Sequence, residues 1–142
     1  MQKLTWKMIR CPMGDEANTE CAEVKDFSFS GSLAEVQKHI EETNSSVDWY
    51  SDFSFAGEDG DHYYNLLPVE LGADVDSVWI QCRDCKEETG LVVRRADLAD
   101  FRAKKKFIQD AFPYLDRDDR ELFLTAICGK CYAKIFGMED DD

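Results

Sequence analysis

Six cysteines and two histidines are the side chains of this 142-residue chain best suited to specific chemistry. Four of the cysteines form two C-x-x-C pairs, Cys82-Arg83-Asp84-Cys85 and Cys128-Gly129-Lys130-Cys131, with residues 86–127 between them. In a C-x-x-C turn both sulfurs reach one ion, and the intervening N–H groups point at the thiolates and stabilise their charge. Two such pairs in one short chain supply four thiolates, a full tetrahedral shell for Zn²⁺. That shell leaves no position open for water, so it would hold a fold together and not catalyse. The competing readings are two unrelated turns or a dithiol redox centre. A redox dithiol usually follows a strand and opens a long helix, and neither pair fits that context well.

Cys11, Cys21, His39 and His62 are the other metal-capable residues. Cys11 and Cys21 are expected to face each other at the open end of a hairpin, with His39 late on a helix packed across it, as in a ββα finger. The finger pattern asks for a second histidine one turn later, but Thr43 stands there. His62 is the candidate fourth ligand if the next hairpin folds back. One zinc is thus expected at Cys82, Cys85, Cys128 and Cys131, while Cys11, Cys21, His39 and His62 are the candidate ligands of a second. The plain alternatives to the second site are a surface His39 with two buried thiols, or a cysteine pair that binds no zinc.

The elements that must position these residues follow from periodicity. Leu4, Trp6 and Met8 alternate with polar neighbours, which predicts a strand over 4–10; Cys11-Pro12 ends it and residues 13–20 turn. A second strand starts at Cys21, with a change of phase between Val24 and Phe27 that suggests a bulge. Ser32 and Glu35 have the spacing of a capping box, and Leu33, Val36 and Ile40 mark one face of a helix to about Thr43. Asp48–Phe55 reads as a strand, Gly57–Asp61 as a turn and His62–Leu67 as the return strand, ended by Pro68. In the C-terminal half, Val78–Gln81 leads into Cys82, Glu87–Gly90 turns the chain and Leu91–Val93 returns. A helix capped by Asp97 is expected to carry Leu98, Phe101, Ile108 and Phe112 to its end at Pro113. Asp116 caps the next, with Leu122, Phe123 and Ala126 inside, running into Cys128. Tyr132–Phe136 is a last helical turn stopped by Gly137. The expected fold is α+β in two zinc-stabilised modules: residues 1–76, a β-hairpin plus helix with an acidic segment, and residues 77–142, a zinc-ribbon-like unit with helices and an acidic tail.

One stretch resembles a known family. Cys82–Cys85, Leu91-Val92-Val93, Ile108-Gln109-Asp110-Ala111-Phe112-Pro113-Tyr114-Leu115, Arg120-Glu121-Leu122 and Cys128–Cys131 together resemble a small zinc-ribbon-like family of short, uncharacterised bacteriophage and prophage proteins. The resemblance spans about residues 78–137 and is most specific in its two cysteine pairs. It implies zinc binding by the four matching cysteines and no established activity. That family often carries a glycine just before the I-Q segment, where this chain has Lys104-Lys105-Lys106. The helix is therefore expected to run through without a break.

Charge bears on partners. The formal net charge is −13. Residues 39–82 hold no Lys or Arg, against ten acids: Glu41, Glu42, Asp48, Asp52, Glu58, Asp59, Asp61, Glu70, Asp74 and Asp76. A nucleic-acid binder working through its whole surface is disfavoured, because phosphates need a positive face. Arg94, Arg95, Arg102 and Lys104–Lys106 form a basic set whose simpler account is a solvated helix face balanced by Asp97, Asp100 and Asp110. The acidic middle is either the wet face of an amphipathic sheet or a mimic of DNA phosphates. No run approaches the roughly 18 apolar residues of a membrane span, and residues 1–7 lack the pattern of a signal peptide. A cytoplasmic setting with reduced thiols is expected, the host cytoplasm if the chain is phage-encoded. No phosphate-binding glycine loop is present, and no carboxylate stands alone in an apolar run. The expected function is non-enzymatic, a zinc-stabilised module that binds another protein. The alternatives are an acidic DNA mimic and a nucleic-acid-binding ribbon using its basic helix. The oligomeric state is not legible.

Overall fold

The computed structural model describes residues 2–12, 21–44, 46–58 and 60–136. The expected turn over 13–20, the Gly137 stop and the acidic tail lie outside them. The chain is mixed α and β and divides into two units, Lys3–Ala73 and Asp74–Asp142 with Met1–Gln2. The expected boundary between Asp76 and Ser77 falls instead between Ala73 and Asp74, because Val75 already pairs with Arg94 in the C-terminal hairpin.

The first unit is an antiparallel sheet with one helix. Its central strand, β1 (Leu4–Pro12), buries Leu4, Trp6 and Met8 and then shifts phase to bury Cys11. On one edge β1 pairs with β2 (Ala22–Glu23) and β3 (Phe29–Gly31). The expected bulge is a full break: Val24 bonds Met8, Phe27 turns onto Val24, and pairing resumes at Phe29. Helix α1 (Leu33–Thr43) begins at Ser32, which accepts from the Glu35 N–H while Glu35 accepts from the Ser32 N–H, the capping box read from the sequence. Leu33, Val36 and Ile40 are buried, each worth about 1.5–3 kcal/mol of apolar transfer.

On its other edge β1 pairs with β6 (His62–Pro68), followed by β5 (Ser54–Ala56) and β4 (Asp48–Ser51). The single strand expected over Asp48–Phe55 is thus a hairpin that reverses at Asp52-Phe53. Its aromatic residues pack across strands, Trp49 tilted against Phe55 and Phe55 stacked on Tyr64, with centroids 5.2 Å apart in both pairs.

In the second unit β7 (Val75–Gln81) and β8 (Glu88–Arg94) form a hairpin whose tip is the first C-x-x-C turn, not Glu87–Gly90. Leu91 and Val93 face a buried cluster of Leu98, Ile108, Ala111, Phe112 and Leu115. Four helices supply the rest: α2 (Arg95–Arg102), α3 (Ile108–Ala111), α4 (Arg117–Thr125) and α5 (Gly129–Phe136). The helix expected to run from Asp97 to Phe112 is broken. It starts at Arg95, and Lys104 adopts φ +62°, with Lys104 N–H on the Phe101 carbonyl and Lys105 N–H on that of Asp100. This is a Schellman stop with lysine where glycine is usual. Asp97 does not cap; it accepts the Tyr114 hydroxyl at 2.9 Å. Asp116 does cap α4, through the Asp119 N–H at 2.9 Å. That helix ends before Cys128, with Ala126 left-handed at φ +59°. No helix among the described residues is long and apolar enough to cross a membrane.

Candidate metal centre

Each half of the cysteine set is delivered by a different device. Cys82 follows the last residue of β7, and its N–H bonds the Glu87 carbonyl at 2.9 Å as the turn closes. Lys86 N–H returns to the Cys82 carbonyl at 3.0 Å, and Lys86 itself is left-handed at φ +67°, which redirects the chain into Glu87. The Arg83 N–H then bonds the Ala126 carbonyl at 2.7 Å, tying this turn to the end of α4. The left-handed Ala126 redirects the chain so that Cys128 sits just before α5 and Cys131 in its first turn. Gly129 is needed there for space, since a Cβ would meet the Asp118 carboxyl carbon at 2.5 Å.

The four sulfurs converge. All lie within 4.8 Å of one another, and Cys85 and Cys128 Sγ are 3.8 Å apart. Sulfurs placed tetrahedrally at about 2.3 Å from an ion are about 3.8 Å apart. The described residues therefore include a four-cysteine group that could hold a metal ion. Cys82 and Cys131 are buried, Cys128 is half-buried and Cys85 is exposed.

Backbone donors prepare the anionic form of Cys82. The N–H groups of Cys128 and Asp84 each reach its sulfur at 3.4 Å. The Cys128 N–H, outweighing burial, draws the Cys82 thiol down to about 6. Burial pushes Cys131 the other way. Without a cation, four neighbouring thiols cannot all ionise; a divalent ion removes that repulsion.

The second candidate site is not assembled. Cys11 and Cys21 are joined as a disulfide, Cα to Cα 4.2 Å, so they do not offer two thiolates. They do face each other as expected, one step beyond the Arg10↔Ala22 pair. The His39 ring stacks on Phe29 with centroids 4.8 Å apart, and His62 stands opposite Pro12 on the β1–β6 ladder. Among the described residues, Cys82, Cys85, Cys128 and Cys131 are the one group with metal-ligand spacing.

Sequence reading missed two residues of the second unit. Gln2, buried, donates to the Val92 carbonyl and accepts its N–H, both at 2.8 Å, adding a rung to β8. Nothing in a lone polar residue signals that. Asp119 is buried with Oδ2 lacking a hydrogen-bond partner among the described residues. Burial first, then the charges of Asp116 and Asp118, raises its carboxyl to about 6. Its place three residues after the Asp116 cap hid it among ordinary first-turn acids. No protein-family model, curated protein or solved structure matches the chain.

Proposed function

We propose that the chain is a non-enzymatic structural-zinc protein that serves as a protein–protein interaction module. The convergence of four cysteine sulfurs within 4.8 Å, with a tetrahedral edge of 3.8 Å, is the observation that supports the structural-zinc half of this reading. Zn²⁺ suits a four-thiolate tetrahedron, and such a shell is closed to water and substrate. The metal would then link the β7–β8 hairpin to α5, and function would lie on the outer surface. The resemblance to short phage and prophage proteins would make it a modulator of a host protein; the Cys11–Cys21 disulfide does not fit the reduced thiols expected of a cytoplasmic setting.

The DNA-mimic alternative has fewer uncommitted carboxylates: two are paired with Arg95, and two keep their charge but accept hydrogen bonds within the fold. Asp74 and Asp76 lie 3.2 and 3.8 Å from Arg95. Glu70 takes the Thr5 N–H and hydroxyl, and Glu41 takes the Trp49 indole. These four of the ten acids serve the fold. The test is a binding comparison of the zinc-loaded chain with double-stranded DNA and single-stranded RNA at low salt. No mobility shift is expected. A shift abolished by charge reversal at Lys104–Lys106 would replace this reading with the nucleic-acid one.

A further inference from the structure

The second unit carries an open groove of about 850 Å³ bordered by the α2–α3 turn and Leu124 of α4. Phe101, Phe107, Ile108 and Leu124 give it an apolar lining. Phe107 is 76% exposed and Leu124 55%, though burying such a side chain contributes about 1.5–3 kcal/mol. The turn that presents Phe107 is fixed by hydrogen bonds. Lys104 and Lys105 N–H groups close the Schellman stop on one side, and the Phe107 carbonyl accepts from Asp110 and Ala111 on the other. A backbone fixed in advance lowers the ordering cost of binding.

The rim is cationic. Arg102 and Lys104–Lys106 border the same groove, with Asp110 the single carboxylate there. Lys106 is 3.6 Å from Asp100, whereas Arg102, Lys104 and Lys105 make no ion pair among the described residues. Such a cluster stands out on a chain of net charge −13. Apolar floor and positive rim together select for both features in one ligand.

We infer that this groove docks an acidic segment of a partner protein that carries a bulky apolar side chain, a surface that presupposes the interaction-module reading. The apolar side chain covers Phe107 and Leu124, and flanking carboxylates meet Arg102, Lys104 and Lys105. Single-stranded nucleic acid fits less well, since it asks for a run of stacking rings along a basic track. Here the two rings, Phe101 and Phe107, are accompanied by Ile108 and Leu124, and the rest of the chain is acidic.

The test titrates the isotopically labelled, zinc-loaded full chain with a synthetic Asp/Glu peptide bearing a central Leu-Phe. A thymidine oligonucleotide and the same peptide with Ala-Ala at its centre run in parallel. The Leu-Phe peptide should shift the amides of Lys104, Lys105, Phe107 and Leu124. Its affinity should fall about tenfold or more in Phe107→Ala and in Lys104→Glu/Lys105→Glu, with zinc content unchanged. Equal binding of the Ala-Ala peptide would overturn the apolar half of the proposal. Silence from both peptide and oligonucleotide would overturn the groove and leave the interaction-module reading to its own test. Oligonucleotide binding lost in Lys104→Glu/Lys105→Glu would overturn both. Self-association lost in Phe107→Ala would overturn it by making the groove an interface between copies.

Discussion

The backbone N–H of Cys128 donates to the sulfur of Cys82 at 3.4 Å, across 46 positions of sequence. The second cysteine turn therefore stabilises the thiolate of the first before any ion is considered. This hydrogen bond ties the two turns into one site.

Loss of a ligand should unfold the second unit rather than merely weaken it. Apparent binding free energies of structural zinc run to about 10–16 kcal/mol, which exceeds the stability of a small unit. Cys82→Ser, or chelation of the wild type, should abolish near-UV circular dichroism from the second unit's Trp79. Cys11→Ser should leave zinc content unchanged. Retention of the near-UV signal in zinc-free Cys82→Ser would argue that the core of Leu91, Val93 and Phe112 suffices alone.

Gly129→Ala places a Cβ on Asp118, whose carboxyl carbon would be 2.5 Å away and whose own Cβ 2.9 Å away. Overpacking of this kind costs about 1–3 kcal/mol. The expected outcome is a lower melting temperature and faster zinc loss to a chelator. Adding Asp118→Ala removes the carboxyl contact but keeps the 2.9 Å Cβ contact, so it should restore only part of both. A double variant no better than the single would show that the carboxyl contact is not what destabilises Gly129→Ala.

Asp119 gives a pH signature with a defined sign. Its folded carboxyl titrates near 6, above the ordinary 3.8, so the folded state binds the proton more tightly than the unfolded state. Its contribution to stability is fully present below about pH 4 and is lost as pH rises through about 6. Asp119→Asn should therefore stabilise the unit by about 1–2 kcal/mol at pH 8, discounted for partial solvent screening. The gain should shrink toward pH 5.5. Urea denaturation of variant and wild type at both pH values measures it, and a pH-independent difference would contradict the assignment.

The disulfide closes a loop of sequence separation 10 in the first unit. Closing a loop of that size contributes about 2–3 kcal/mol. Reduction, or Cys11→Ser/Cys21→Ser, should lower the first unit's stability by that amount and leave zinc content untouched. A variant of unchanged stability would show that pairing with β1 alone holds β2.

Much of this architecture was legible because the signals are local. The Ser32–Glu35 box and the Leu33, Val36, Ile40 stripe specified α1, and C-x-x-C spacing specified the two turns. The misreadings arose where a residue does what its type rarely does. Lys104 and Ala126 take left-handed conformations that cost about 1–2 kcal/mol and that glycine would have announced. The reversal at Asp52-Phe53 uses neither glycine nor proline, so Trp49, Phe53 and Phe55 read as one strand. For Cys11 and Cys21 proximity was legible, but whether facing sulfurs bond each other or a metal depends on the groups around them, which spacing does not encode.

The proposed function depends on one closed metal shell at Cys82, Cys85, Cys128 and Cys131. Native mass spectrometry of the purified chain, joined to X-ray absorption at the zinc edge, tests it most directly. One zinc per chain with four sulfur ligands at about 2.3 Å is the expected result. A folded chain without zinc, or a zinc bearing nitrogen or oxygen ligands, would contradict it.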